Sequence, residues 1–147
     1  MSPHKKIALA TAGFLLIGIV AVVAAYEAEI RSIRAKVLAG GKIVETAAGP
    51  IEYAIAGAGT PLLSIHGAAG GYDQGLMTAA GLLGDGFEAI APSRFGYLRT
   101  PVPRDASPAA QADAYAALLD TLGVDRAIVV GLSAGAPSAV QLALRHP

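Results

Sequence analysis

The chain has 147 residues, eleven lysines and arginines against eleven acids, and no cysteine. That length holds one domain, and a net charge of zero offers no basic surface for nucleic acid. Without cysteine there is no disulfide framework, no thiol nucleophile and no zinc–thiolate site, and cysteine usage says nothing about compartment.

Residues 7–25 carry no charge. As a helix they would span roughly 28 Å, close to the hydrocarbon thickness of a bilayer. The reading is an N-terminal membrane anchor over residues 1–25. A cleaved signal peptide is the alternative, because Val23-Ala24-Ala25 makes a passable small-residue cleavage site. Lys5 and Lys6 before the segment favour a cytoplasmic N-terminus, whereas Arg31, Arg34 and Lys36 after it pull the other way. We expect a single-pass anchor with the domain on the outer, periplasmic or extracellular side, or a secreted domain if the segment is cleaved. Residues 26–42 read as a charged, helix-compatible connector. Glu27 and Glu29 offset its three bases, which weakens any case for binding anionic lipid. Gly40-Gly41 closes the connector, and residues 43–147 form the remaining domain.

From there the pattern turns to strands. Ile43–Thr46 and Ile51–Ala56 flank Ala48-Gly49-Pro50 and predict an antiparallel hairpin. Leu62–Ile65 is a buried strand that runs into His66-Gly67-Ala68. Met77–Leu83 is expected to be helical, with Asp73 as a helix cap, and Phe87–Ala91 is a further strand. Pro92–Ser107 is a loop containing Arg94, Phe95 and Tyr97. Ser107-Pro108 then starts a helix whose apolar residues follow the 3.6-residue period, and Gly123 ends it. Ala127–Val130 is an apolar strand, and Ala136–Arg145 reads as a helix. Between them stands Gly131-Leu132-Ser133-Ala134-Gly135.

A G-x-S-x-G between strand and helix has the pattern of a nucleophile elbow. The turn lifts Ser133 above the strand end, and the flanking glycines avoid collision with neighbouring strand and helix. The helix that follows aims free N–H groups at the same point, where an oxyanion would be stabilised. Strands alternating with helices imply a parallel sheet covered on both faces, with functional groups beyond the carboxyl ends of its strands. His66-Gly67, Ser93-Arg94 and Ser133 all follow such ends. The glycines at 67, 70 and 71 lack the Lys-Ser/Thr of a phosphate-binding loop, and no metal or cofactor motif stands out.

Together, His66-Gly67, Arg94-Phe95-Gly96 and the elbow resemble the α/β-hydrolase fold family from Ile43 to Pro147. The resemblance implies an α/β fold: an antiparallel hairpin, then parallel strands with flanking helices, preceded here by the apolar helix. It implies Ser133 as nucleophile, with the backbone N–H groups of Ala134 and Ala68 as the oxyanion hole. His66 would hold the oxyanion turn in shape, and Arg94 would tie down its loop or meet a substrate carboxylate. A serine at this position points to acyl-enzyme chemistry on an ester, amide or related carbonyl of a small molecule. In the family an acid and a histidine follow the nucleophile. Here only His146 does, at the far end of the predicted helix and out of reach. We therefore expect the N-terminal piece of a longer protein, in which the last strand would otherwise be left as an apolar edge. A non-catalytic, membrane-tethered binding domain with an incomplete triad is the alternative. Oligomeric state and substrate are not readable from the sequence.

Overall fold

The computed structural model describes residues 2–83 and 85–147. Its contacts divide the chain into two units, residues 1–39 and 40–147.

The first unit belongs to one helix, α1, which runs unbroken from Pro3 to Gly40. The anchor and the connector expected on either side of residue 25 are therefore one element. Phe14 is 80% exposed. This helix is long and apolar enough to cross a membrane.

In the second unit, β1 (Lys42–Thr46) and β2 (Gly49–Gly57) form the expected antiparallel hairpin. After β3 (Thr60–Ile65) come α2 (Tyr72–Leu83), β4 (Phe87–Pro92), α3 (Pro108–Leu122), β5 (Ile128–Gly131), a single 3-10 turn over Ser133–Gly135, and α4 (Ala136–Arg145). The sheet order is β1-β2-β4-β3-β5. Thus β3 lies between β4 and β5, parallel to both, while β4 pairs antiparallel with β2. Among the described residues β5 is outermost, as expected for a strand with one partner.

Alternation along β3 explains the two layers. Leu63 and Ile65 pack with Ile51, Ile90, Tyr115, Leu118 and Leu142, on the side of α3 and α4. Leu62 packs with Ala79 and Ala89, on the side of α2. Ser64 also faces α2, donating to the Gly75 carbonyl at 2.7 Å. That buried polar group is thereby satisfied.

The helix ends follow local chemistry. Ser107 accepts from the Ala110 N–H at 3.2 Å, Pro108 occupies the first turn, and Gly123 closes α3 in the left-handed region at φ 70°. By contrast, α2 starts five residues before the expected Met77. The Tyr72 N–H is received by the Ser93 hydroxyl at 3.2 Å, from a distant loop. Asp73 is not the residue before the helix. It lies within the first turn and accepts from the Gly71 N–H at 2.9 Å.

Candidate active site

Ser133 follows β5 at the turn into α4. It is exposed and has φ 48°, one of two non-glycine residues at positive φ among those described. A side chain held there is strained. The neighbouring glycines show what makes the turn possible. A Cβ on Gly131 would lie 2.7 Å from the Ala139 Cβ and 2.9 Å from the Ala136 Cα of α4. On Gly135 it would lie 2.6 Å from the His66 carbonyl oxygen and 2.7 Å from that of Ile65. Strand, helix and turn can approach so closely only because both positions lack a side chain.

Gly67 brings the second half of the site to Ser133. A Cβ on Gly67 would be 3.5 Å from the Ser133 Cβ. The Leu132 N–H donates to the Ile65 carbonyl at 2.9 Å, which fastens the elbow to the end of β3. Elbow and His66-Gly67 turn therefore form one structure at the carboxyl end of β3 and β5.

His66 is fully buried. Its Nε2 accepts from the Arg94 N–H at 2.9 Å, so the proton of the neutral ring sits on Nδ1, which donates to the Gly67 carbonyl at 2.7 Å. Burial lowers the His66 pKa, and the Arg94 cation adds to that. The bond to Gly67 and the Asp73 charge oppose it. His66 and Tyr97 pack edge to face, with centroids 4.7 Å apart and ring planes at 71°. Both nitrogens are thus occupied with backbone, which suits a group that shapes a turn rather than one that shuttles protons.

Arg94 also turns inward. Its Nη1 donates to the Gly67 carbonyl at 3.4 Å, and its guanidinium carbon lies 5.4 Å from the Tyr97 ring centroid. Among the described residues the buried Arg94 Nε has no hydrogen-bond partner, and the Tyr115 hydroxyl is buried beside Ser138. Burial pushes the Tyr115 phenol pKa up.

Three residues whose role could not be read from the sequence hold this turn as well. Gln74 Oε1 accepts from the Gly67 N–H at 2.8 Å, and the Tyr97 hydroxyl donates to the Ala68 carbonyl at 3.2 Å. The peptide planes around Ala68 are therefore fixed from both sides. Among the described residues no hydrogen bond occupies the N–H of Ala68 or of Ala134.

The third is Glu52 on β2. It is fully buried, and its Oε1 accepts from Arg99 Nε at 2.7 Å. Its Oε2 accepts from the Ser93 hydroxyl at 2.9 Å and the Arg99 N–H at 3.1 Å. The Glu52 N–H donates to Thr100 Oγ1 at 2.9 Å, and Arg99 Nη2 reaches the Gly41 carbonyl at 2.6 Å. This one carboxylate fixes the start of the loop that carries Arg94 and Tyr97. Its sequence signal was a lone acid inside an apolar strand, with arginines in a later loop.

His146 takes no part. Its Nε2 lies 2.8 Å from Asp113 Oδ1, and Arg145 pairs with the same carboxylate at 2.7 Å. A cleft of about 700 Å³ beside β5 is lined by His146, Asp113, Val129 and Leu142, and by none of Ser133, Ala134, Ala68, His66 or Arg94. No cluster of three metal-ligating side chains occurs among the described residues.

Residues 60–147 match the family described as the alpha/beta hydrolase fold. The uncharacterized hydrolase YcgS of Bacillus subtilis is 38% identical over 100 residues, which cover 67% of this chain and 34% of that protein. An alpha/beta hydrolase fold protein from Nakamurella multipartita shares 45% identity at a TM-score of 0.69, over 73% of this chain and 37% of its own. The N-acyl homoserine lactonase AidH, solved with N-butanoyl homoserine, shares 30% identity at a TM-score of 0.61, over 73% and 41%. The chain spans about a third of the length of the first two. The sheet covered on both faces, the glycine-flanked turn at Ser133 and these matches lead to one conclusion: the chain belongs to the alpha/beta hydrolase fold family.

Proposed function

We propose that this chain carries the nucleophile and oxyanion-binding half of a membrane-tethered serine hydrolase. The observation that carries the reading is Ser133, strained and exposed, packed against the Gly67 turn with two unclaimed backbone N–H groups nearby. Ser133 Oγ attacks a substrate carbonyl carbon. The oxygen that gains charge receives hydrogen bonds from the N–H groups of Ala134 and Ala68. Collapse of the tetrahedral species expels the leaving group and leaves an ester on Ser133, which water then hydrolyses.

An oxyanion hole helps only if it is rigid before the reaction. His66, Gln74, Arg94 and Tyr97 supply that rigidity through their bonds to Gly67 and Ala68. A general base must touch the Ser133 hydroxyl. His146 is engaged with Asp113, so in this reading base and acid come from residues after 147, in the chain order of the family. The substrate is a small molecule with an ester, lactone or amide carbonyl, which the likeness to a lactonase supports. The α1 helix serves as the anchor, its length and apolarity being the support; the orientation, N-terminus inward and domain outward, rests on Lys5 and Lys6 before the span.

The test uses the protein as its native cells make it. A fluorophosphonate probe is expected to label it, and Ser133→Ala to abolish both labelling and the hydrolysis of activated esters. Labelling that persists in Ser133→Ala would refute the role given to Ser133.

A further inference from the structure

The part of α1 beyond residue 25 has a pattern that the enzymatic reading leaves unused. Val23, Tyr26, Ile30 and Ile33 succeed one another at spacings of three, four and three. These are the a and d positions of a heptad and form one stripe along a helix. The charged residues Glu27, Glu29, Arg31, Arg34 and Lys36 all fall off it. Val23 is 54%, Tyr26 61% and Ile33 48% exposed, and Ile30 between them is half-buried.

Charge selects the occupant. With Ile30 at a, Glu29 takes position g and Arg34 position e. In a parallel coiled coil, g of one helix faces e of the other five residues further on. Glu29 then meets Arg34 of a second copy, and symmetry repeats the pair on the other side. Chains anchored through α1 in one membrane enter it in the same direction, so parallel pairing follows; this step rests on the tether proposed above. We propose that the segment after the apolar span joins copies of this chain as a short parallel coiled coil, with Tyr26, Ile30 and Ile33 in the seam.

The cysteine-free sequence makes the test direct, because each single-cysteine variant carries one thiol. The full chain is oxidised in native membranes and resolved without reductant. Ile30→Cys and Ile33→Cys are expected to give covalent dimers. Ala28→Cys and Ala35→Cys, on the outer face, should give several-fold less. In the Ile30→Cys background, Glu29→Arg should lower the yield roughly five-fold, and adding Arg34→Glu should restore it. Equal yields at all four positions, or no dimer at 30 and 33 in chain that resists alkaline extraction, would overturn the pairing alone. Release of the chain from membranes by alkali would overturn the tether and the parallel pairing with it. Neither result bears on labelling of Ser133.

Discussion

The two flanks of β3 solve different problems. Towards β4, polar groups are taken out of water and matched: Glu52 is fully buried, and Arg99, Ser93 and the Arg99 N–H converge on its carboxylate. Towards β5, approach is allowed by missing side chains, at Gly131 and Gly135, and the charged groups stay outside. Asp113 and Arg145 are each nearly half exposed, against none of the side chain of Glu52. The first flank sets the position of the loop that holds His66 and the Gly67 carbonyl. The second sets Ser133 against that turn. The function proposed here needs both, a rigid turn and Ser133 held beside it.

The largest effect should come from breaking the buried flank. Glu52→Ala leaves Arg99 and the buried Ser93 hydroxyl without their acceptor and should cost about 3–5 kcal/mol, read as a fall in the urea midpoint. Loss of the close approach comes next. Gly135→Ala drives a methyl group against two backbone oxygens and should cost roughly 1–3 kcal/mol. Gly13→Ala in α1, with nothing within 4 Å, should leave the unfolding of the other unit unchanged.

The third prediction concerns pH. The folded state lowers the His66 pKa below 6.5, so below that value the unfolded chain binds the proton more readily. The stability held by the neutral ring is intact above about pH 6.5 and is lost as pH falls through the lowered folded value. Its slope is at most about 1.4 kcal/mol per pH unit. Urea midpoints at a series of pH values should show this fall, and His66→Gln should remove it. Within the sheet unit the smallest effect belongs to the exposed flank. Asp113→Asn removes an ion pair in which the carboxyl is held down to about 2 by the Arg145 and His146 side chains. Water and salt screen that pair, so the midpoint at neutral pH should barely move. A shift as large as that of Glu52→Ala would break the contrast between the flanks.

What could be read from the sequence follows the same division. The elbow was legible because its causes are local: an apolar strand, two glycines around Ser133 and a helix lie within twenty residues. The hairpin and the Ser107 cap were legible for that reason too. Glu52 was not, because Arg99 lies 47 residues away and only the fold brings them together. The early start of α2 was hidden likewise, since its first N–H depends on Ser93, 21 residues on. No role could be read for Gln74, because many side chains can accept from a backbone N–H, and no spacing marks the one that does.

The central claim is that Ser133 is the reactive group, and mapping a covalent adduct tests it most directly. The protein from its native cells is treated with a fluorophosphonate, digested, and its modified peptide sequenced by mass spectrometry. The account predicts the phosphonyl mass on Ser133. An adduct on another residue, or an unmodified Ser133 under conditions that label other serine hydrolases in the same extract, would contradict it.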